Sequence, residues 1–347
     1  MYNYRQHIIP VDTSLSQALT NLEQLINEKI LFVVDKENTL LGSITDGDIR
    51  RNLLKNNSFN KTIESVYEPS PKFFYENSID LKKLIELRKE AIQVIPIVDQ
   101  QKRIVDIFNY SLYKSYLPVD TVIMAGGRGS RLAPLTDTKP KPLLEIGGKA
   151  IIEYNMDRII SYGVKNFWLS VNYLKEQIKT HFKNGKDQIN IRYIEEEQPM
   201  GTIGSLTMMT NFEHEHLLIT NSDIITNLDY EDFYLDFIEN DADIAMVTIP
   251  YETVIPYGVV EHKDNKVLGI QEKPTYTHYS NAGIYLIKKK LINNIPKNQF
   301  YNATDLIEQV IQNNGNVISY PFSGYWLDVG KPKDLNRAKN EINSIKF

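Results

Sequence analysis

Apolar runs and helix-spaced segments alternate along the second two thirds of the chain. Between the runs, apolar residues recur at helical spacing in residues 151–162, 175–182 and 203–209. This alternation predicts an α/β fold, a Rossmann-like mixed but mainly parallel sheet with helices on both faces. Ligands of such sheets bind where the strands end, so we expect functional side chains directly after the runs. The strand-like runs read TVIMAGG, NFWLSVNY, INIRYIEE and HLLITNSDII.

The first part of the chain contains a weak internal repeat. ILFVVDKENTLLGSITDGDIRR recurs as QVIPIVDQQKRIVDIFNYSLYK, so that Asp35 corresponds to Asp99. Each half predicts a helix, a strand, a tight turn, a second strand and a closing helix. The first helix is indicated by Leu15, Ala18 and Leu22 at three-to-four spacing. A smaller α/β module therefore precedes the larger one.

The smaller module, residues 1–117, resembles a tandem pair of CBS domains, and GSITDGDIRR carries the resemblance. In that family a threonine or serine and an aspartate three positions later face an adenine nucleotide, which implies that Thr45 and Asp48 bind AMP or ATP. The second half has Asn109 and Leu112 at these positions, and leucine cannot hold a ribose, so we expect one such site at most. The alternative is that Thr45 and Asp48 only cap a helix and that the pair serves in dimerisation.

The junction between the modules is short. Pro118 breaks any helix there, and the segment from Lys114 to Asp120 is too short to act as a flexible tether. The domain boundaries are therefore predicted as a regulatory pair in residues 1–117 and a catalytic domain in residues 118–347.

Composition narrows the class of protein and its partners. The 347 residues are 42% hydrophobic and 24% charged, with a net charge of −5, which gives no sign of a nucleic-acid or membrane partner. The chain has no cysteine, which excludes disulfides, thiolate catalysis and zinc–thiolate sites. No apolar run approaches the ~18 residues that a membrane helix needs, and no signal peptide is recognisable. We expect a soluble cytoplasmic protein, and a homo-oligomer because CBS pairs commonly meet face to face.

One turn-rich segment, MAGGRGSRLAPLTDTKPKPLLEIGGKA, concentrates glycines and cations after the first strand of the larger module. Glycines let backbone amides approach phosphate oxygens closely. Arg131 lies two residues past Gly129, and prolines on both sides hold Lys141 in place. Fixed cations aimed at one place suit phosphoryl chemistry, whereas neither a Walker loop nor a dinucleotide fingerprint is matched. The alternative is a basic surface loop.

Residues 122–339 resemble the sugar-1-phosphate nucleotidyltransferases. Their signature G-G-x-G-[ST]-R-L-x-P-L-T-x-x-x-P-K-P-L is matched at every fixed position from Gly126 to Leu143. Five later stretches match in the family's order: QPMGTIGS, TNSD, YGVVE, EKP with NAGIY, and WLDVGKP. Asp223 and Asp328 each follow or end an apolar strand, and two carboxylates beside a polyphosphate suit Mg²⁺. The resemblance likewise assigns both to the metal, although either aspartate could instead be a strand-end cap.

The resemblance also implies a set of site residues. Arg131 and Lys141 would be catalytic, and Asp223 and Asp328 would bind Mg²⁺. The nucleotide would be bound by Ala125, Gly126, Gly127, Gly129, Ser130, Glu196, Pro199, Gly201 and Thr202. The sugar phosphate would be bound by Gly258, Glu272, Lys273 and Asn281. For Lys273 the alternative is an ordinary surface lysine.

The reaction that follows needs little proton chemistry. A sugar 1-phosphate is already anionic, so its oxygen attacks the α-phosphorus without a general base, and pyrophosphate leaves. Catalysis then consists of positioning two anions and screening their charge with Arg131, Lys141, Lys273 and Mg²⁺.

Glu196 indicates the nucleotide. Guanine presents two neighbouring donors, which a carboxylate can accept, whereas uracil and thymine would present carbonyl oxygens to it. We therefore expect GTP; the alternative is that the acidic run around Glu196 is a solvated edge. A CBS pair joined to this module resembles the glucosamine-1-phosphate guanylyltransferases of legionaminic-acid synthesis, which implies glucosamine 1-phosphate. Mannose 1-phosphate, a heptose 1-phosphate, a cytidylyltransferase reaction, and an adenine-nucleotide sensor with an inactive transferase domain are the alternatives.

Overall fold

A computed structural model of the protein describes residues 3–25, 28–56, 61–76, 78–185 and 189–345. The chain divides into two compact units, Met1–Tyr116 and Leu117–Phe347. Each unit has its own sheets and its own apolar core. Among the described residues, no helix combines the length and the apolar character needed to cross a bilayer.

The first unit repeats one pairing pattern in two three-stranded sheets, β1-β2-β3 and β4-β5-β6. In each sheet the first strand is parallel to the second, and the second is antiparallel to the third. The repeat in the sequence is therefore a repeat in the structure. The elements are β1 (Ile8–Pro10), α1 (Leu15–Gln24), β2 (Ile30–Val34), β3 (Leu40–Thr45), α2 (Asp46–Asn56), β4 (Phe74–Tyr75), α3 (Leu81–Lys89), β5 (Val94–Val98) and β6 (Ile104–Asn109).

The predicted closing helix of the second half is wrong. Residues 110–116, all of them described, form turns instead of a helix. Asn109 ends β6, and its Oδ1 accepts hydrogen bonds from the amide and the hydroxyl of Ser111 at 2.8 and 2.7 Å. Such a side-chain turn competes with helical backbone hydrogen bonds. In the first half, by contrast, Asp46 and Asp48 lie in the first turn of α2, where negative charge stabilises a helix.

The second unit is built on a seven-stranded sheet of order β11-β10-β7-β12-β17-β14-β18. Only β17 runs antiparallel to its neighbours in this sheet; the other pairs are parallel. The elements are β7 (Val119–Met124), α4 (Leu135–Thr138), β8 (Glu145–Ile146), β9 (Lys149–Ala150), α5 (Ile151–Ile160), β10 (Asn166–Val171), α6 (Lys175–Phe182), β11 (Asn190–Glu195), β12 (His216–Asn221), β13 (Ile224–Thr226), α7 (Tyr230–Glu239), β14 (Ile244–Val254), β15 (Val259–Lys263), β16 (Lys266–Gln271), β17 (Thr275–Lys288), α8 (Ala303–Gln312), β18 (Val317–Pro321), β19 (Trp326–Asp328) and α9 (Pro332–Glu341).

The predicted α/β fold with a mainly parallel sheet is confirmed by this topology. The helices predicted at residues 151–162 and 175–182 are α5 and α6, whereas residues 204–208 form a 3₁₀ helix. The parallel strands end at one edge, because the sheet register places Met124 of β7 level with Ser170 of β10 and with Asn221 of β12. The loops that follow these strands therefore meet at that edge.

Two features lie outside the main sheet. β13 pairs with β19 as a separate two-stranded sheet. Residues 250–281, hereafter the β-arm, comprise the outer halves of β14 and β17 and the β15–β16 hairpin, and nearly all of them are exposed.

Candidate active site

The loop after β7 is shaped by its glycines. The amide of Ala125 donates to the carbonyl of Ser170 at 2.8 Å, which fixes the start of the loop against β10. Gly129 has a φ of +67°, and a Cβ there would lie 2.9 Å from Cβ of Lys141. The hydroxyl of Thr136 donates to the Gly129 carbonyl at 2.9 Å. Only glycine fits this left-handed position, and its missing side chain lets the lysine segment pack against the loop.

A cavity of about 410 Å³ opens at this edge of the sheet. It brings together eleven of the predicted residues: Gly126, Gly127, Gly129, Ser130, Arg131, Lys141, Glu196, Pro199, Gly201, Thr202 and Asp223. Ala125 is buried behind the loop and is not in the lining. One cleft therefore contains the glycine-rich loop with its two cations, the segment around Glu196 (hereafter the acidic segment) and Asp223.

The two aspartates are brought together by the β13–β19 pairing. Ile224 pairs with Asp328, and the amide of Val329 donates to the backbone carbonyl of Asp223 at 3.0 Å. The ammonium of Lys141 donates to Oδ2 of Asp223 and lies 3.7 Å from Oδ1 of Asp328. Lys141 is buried, whereas the side chains of Asp223 and Asp328 are 20% and 43% exposed, so the carboxylates remain open to the solvent side of the cluster.

Asp328 is the unusual acid of the cluster. Burial raises its pKa above the ordinary value, the Asp223 carboxylate raises it further, and Lys141 and Arg131 oppose both effects. Its Oδ1 is buried, and no residue in the described part of the chain donates a hydrogen bond to it. An unsatisfied carboxylate oxygen beside a second carboxylate fits a hard divalent cation. No group of three or more potential metal ligands occurs in the described residues, so phosphate and water would have to complete the coordination.

Glu196 is a buried acid in the lining of the cavity. Its Oε1 accepts from the Ser170 hydroxyl at 2.5 Å, and its Oε2 accepts from the Met200 amide at 3.1 Å. Asn172 donates to its backbone carbonyl at 2.8 Å. The carboxylate is thus buried and held in one orientation, and each oxygen keeps a lone pair for a further donor.

Gly201 and Thr202 shape the loop that follows. Gly201 has a φ of +75°, and a Cβ there would lie 2.5 Å from the carbonyl of Tyr301. The Thr202 hydroxyl accepts from the amide of Ala303 at 2.7 Å, at the start of α8. Both residues therefore join the acidic segment to α8 as well as lining the cavity.

A second cavity of about 250 Å³ contains one of the predicted sugar residues, Asn281. Asn221 and Asp328 line it with Trp326, and Asn221 lines the first cavity as well. The β14–β17 register shifts between Met246 and Thr248, and Asn281 lies at this bulge. Bulges commonly re-aim side chains next to active sites.

Asn281 is already bonded within the protein. Its Oδ1 accepts from the Gly283 amide at 2.9 Å, and its Nδ2 donates to the Tyr285 hydroxyl at 2.7 Å. The Trp326 indole N–H donates to the carbonyl of Ala282 at 3.0 Å. In this structure Asn281 therefore holds the bulge.

The other predicted sugar residues are on the β-arm. Glu272 and Lys273 are exposed, and Gly258 lies beside Glu272, since a Cβ on Gly258 would be 3.0 Å from Glu272 Oε2. None of these three residues lines either cavity. Their role in sugar binding stays a prediction.

Asn221 was not predicted as a site residue, although TNSD was recognised. It ends β12 between the two cavities, and Asn155 of α5 donates to its carbonyl at 3.0 Å. The signal available in the sequence was its place at the end of an apolar strand, two residues before Asp223.

In the first unit, Thr45 and Asp48 bond to each other. The amide and the hydroxyl of Thr45 donate to Asp48 Oδ2 at 2.8 and 2.6 Å. Arg51 donates to Asp48 Oδ1 at 2.5 Å. This is the helix-cap arrangement, with the polar groups of both residues occupied. A nucleotide would have to replace these contacts, and its binding stays a prediction.

Comparison with known proteins covers both units. The family model described as Nucleotidyl transferase matches residues 120–345, and the model of the CBS domain matches residues 6–55. A protein of Methanococcus maripaludis strain C7 named "Bifunctional protein GlmU" is 32% identical over 65% of this chain and 55% of its own length. The chain thus spans little more than half of that relative.

Two further likenesses involve guanine nucleotides. A mannose-1-phosphate guanyltransferase of Yarrowia lipolytica is 31% identical over 62% of this chain and 61% of its own. The crystal structure of HddC from Yersinia pseudotuberculosis complexed with GMP-PN is 25% identical, with a TM-score of 0.51, over 65% of this chain and 99% of its own.

Proposed function

This chain belongs to the nucleotidyl transferase family, and from that premise we propose that it joins a hexose 1-phosphate to a nucleoside triphosphate, releasing pyrophosphate. The observation that carries the proposal is the single cleft shared by the glycine-rich loop, Arg131, Lys141 and Asp223. Backbone amides, two cations and a carboxylate that share one cleft are what gathering two phosphate-bearing substrates requires.

The proposed chemistry is an in-line displacement at phosphorus. An oxygen of the sugar phosphate forms a bond to the α-phosphorus, the bond from that phosphorus to the bridging oxygen of the β-phosphate breaks, and pyrophosphate leaves with the electron pair. Backbone amides around Gly126 and Gly129 would hold the triphosphate, while Arg131 and Lys141 would offset the charge that develops. No side chain has to remove a proton, because the attacking phosphate is already ionised.

Members of this family generally use a divalent metal. We propose Mg²⁺, held by Asp223 and Asp328, because the two carboxylates converge and no described residue donates a hydrogen bond to the buried Oδ1 of Asp328. When bound, the ion would neutralise phosphate charge as a Lewis acid. Lys141 would then have to release Asp223 and turn towards phosphate.

We propose GTP as the nucleotide. The support is Glu196, whose buried carboxylate faces the cavity and is oriented by Ser170 and Met200. It could accept from N1–H and from the amino group of guanine, whereas the carbonyl edge of uracil or thymine would be repelled. The guanyltransferase and the GMP-PN complex among the similar proteins agree with this choice.

The proposed acceptor is glucosamine 1-phosphate, with mannose 1-phosphate and a heptose 1-phosphate as alternatives. Its support is the combination of a CBS domain with a nucleotidyl transferase domain, which resembles the enzymes of legionaminic-acid synthesis. In the first unit we propose that AMP or ATP binds at Thr45 and Asp48 and changes turnover.

A substrate matrix tests the proposed reaction. Pyrophosphate release is measured with Mg²⁺ for GTP, UTP, dTTP, CTP and ATP, each paired with glucosamine, glucose, mannose and heptose 1-phosphates. We expect release to be fastest with GTP and glucosamine 1-phosphate, and absent from the Asp223→Asn variant. Pyrophosphate release with another sugar 1-phosphate would change only the proposed acceptor and would leave the proposed reaction standing. No release from any pair would leave the adenine-nucleotide sensor with an inactive transferase domain as the function.

A further inference from the structure

An exposed aromatic side chain lies in the first cavity. Phe300 is 63% exposed, and it belongs to the lining of the cavity of about 410 Å³. Among the described residues that line this cavity, it is the only aromatic one. It was not among the predicted site residues, because the segment before α8 matches none of the recognised motifs. On an open surface a single exposed phenylalanine needs no explanation, but in a ligand cleft it offers a flat apolar face.

The backbone around Phe300 is fixed to the loop that follows Glu196. The amide of Tyr301 donates to the carbonyl of Met200 at 3.0 Å. The carbonyl of Tyr301 accepts from the amide of Gly204 at 3.1 Å, and a Cβ on Gly204 would lie 2.6 Å from the carbonyl of Gln299. The peptide groups before and after Phe300 therefore both contact this loop. A side chain that starts from a fixed backbone is partly ordered before a ligand arrives, which lowers the entropy cost of binding.

Met200 links the aromatic ring to the carboxylate of Glu196. Its amide donates to Oε2 of Glu196 at 3.1 Å, and its carbonyl accepts from Tyr301, the residue after Phe300. One residue thus positions both the acid proposed to read the edge of the base and the peptide that carries the ring. A base presents hydrogen-bonding groups at its edge and an apolar π-face on each side, so both kinds of contact serve it. We propose that Phe300 stacks on the face of the nucleobase, an inference that rests on the proposed function.

The nucleobase is favoured over the acceptor sugar as the partner of the ring. Phe300 lines the first cavity with Glu196, whereas Asn281, the predicted sugar residue that lies in a cavity, lines the second. The face of a phenyl ring has no hydrogen-bond donor or acceptor, so stacking adds affinity without choosing a base, and Glu196 would supply the choice. A purine has two fused rings and covers more of the phenyl ring than a pyrimidine does, so GTP should gain more than UTP.

The first experiment compares a ligand that has a base with one that has none. Titration calorimetry of the full chain measures the Kd of GTP and of tripolyphosphate, both with Mg²⁺. We expect Phe300→Ala to raise the Kd of GTP about tenfold or more, as the loss of one stacked aromatic does, and to leave the Kd of tripolyphosphate unchanged. Phe300→Trp should bind GTP at least as tightly as the wild type, whereas Phe300→Leu, apolar but not planar, should bind it more weakly. Equal GTP binding by Phe300→Ala and the wild type would overturn the proposal.

The matched control is Ile311→Ala. Ile311 is 55% exposed on α8 and lies outside the cavity lining, so this variant should bind both ligands as the wild type does. Because Phe300 is mostly exposed, Phe300→Ala should keep the wild-type midpoint of thermal unfolding.

Steady-state kinetics separates the base from the sugar. We expect Phe300→Ala to raise KM for GTP and to keep kcat and the KM for the sugar 1-phosphate. A KM raised for the sugar 1-phosphate alone would place the ring at the acceptor, and the proposal would be wrong. If Phe300→Ala kept the KM for GTP while the wild type released pyrophosphate, the stacking would be wrong and the proposed function would stand. If the wild type bound GTP but released no pyrophosphate with any acceptor, the proposed function would fail, and calorimetry would still decide the stacking.

Discussion

Asp223 and Asp328 lie close together because Asp223 directly precedes β13, and β13 pairs antiparallel with β19, whose last residue is Asp328. Lys141 contacts both carboxylates. A divalent ion held by the two aspartates, as proposed, would therefore compete with Lys141 for them.

Replacing Lys141 tests this competition. We expect Lys141→Gln to lower turnover by roughly 10²–10³, as losing one fixed transition-state charge does. The same variant should bind Mn²⁺ more tightly in the absence of nucleotide, because Asp223 no longer has an ammonium partner. Titration calorimetry with Mn²⁺ measures this directly. Lys139→Gln is the matched control, since Lys139 is partly exposed and pairs with Glu145. Equal or weaker Mn²⁺ binding by Lys141→Gln would contradict the competition.

Glu196 is expected to select the base. Glu196→Gln should lower the GTP:UTP ratio of kcat/KM by about tenfold or more, since a bidentate contact with a base edge discriminates by about 1–3 kcal/mol. Steady-state kinetics with both nucleotides checks this. Glu197→Gln changes an exposed neighbour and should keep the wild-type ratio. If both variants keep it, Glu196 does not read the base.

Two glycines of the loop should differ in what their substitution damages. Gly129→Ala forces a side chain into a left-handed conformation, at about 1–2 kcal/mol, and against Lys141. We expect it to lower the midpoint of thermal unfolding and the turnover together. At Gly127 a Cβ meets no protein atom within 4 Å, so Gly127→Ala should unfold like the wild type and raise only KM for the triphosphate. An unchanged KM would show that phosphate does not approach Gly127 closely.

We expect Asp48 to be required for the adenine-nucleotide binding proposed for the first unit. Calorimetry with AMP and ATP should show binding by the wild type and none by Asp48→Ala. Asp46→Ala removes a nearby carboxylate that pairs with Arg50 at 2.9 Å, and should leave binding intact. Asp48→Ala also removes a helix cap, at about 1 kcal/mol, so its folding is checked by circular dichroism. Absence of binding by the wild type would leave the helix cap as the role of Asp48.

The surroundings of His216 predict that the folded protein becomes less stable in mild acid. Burial lowers the pKa of His216, nearby Lys288 and His214 lower it further, and Glu215 opposes them. The imidazole Nδ1 lies 2.8 Å from the Tyr234 hydroxyl, whose pKa burial raises. The contact therefore joins a neutral ring and a neutral phenol.

The direction in which stability changes with pH follows from the linkage between proton binding and folding. The folded chain binds the His216 proton more weakly than the unfolded chain, so stability is full above the ordinary histidine pKa of about 6.5 and falls as pH drops towards the folded value. Between pH 7.5 and 5.5 the midpoint of thermal unfolding should fall more for the wild type than for His216→Gln. His262→Gln, at an exposed position, should fall as the wild type does. Equal losses in wild type and His216→Gln would contradict the prediction.

Most of the local elements and the turn of the glycine-rich loop were determined by the sequence alone. Helix α6 begins and ends at Lys175 and Phe182, as its spacing predicts, and the residues around Gly129 form the expected turn. These features depend on neighbours within a few positions, where periodicity, glycine and proline act directly on the backbone.

Only the tertiary structure decided the meeting of Asp223 with Asp328, the β-bulge at which Asn281 is bonded, and the exposure of the β-arm. The missing closing helix after Asn109 also depends on how a side chain bonds to the backbone in the folded unit. Pairing between distant strands, and the burial that follows from it, are set by hydrogen bonds and packing across the whole chain. A local pattern of residues does not specify which distant segment will supply those contacts.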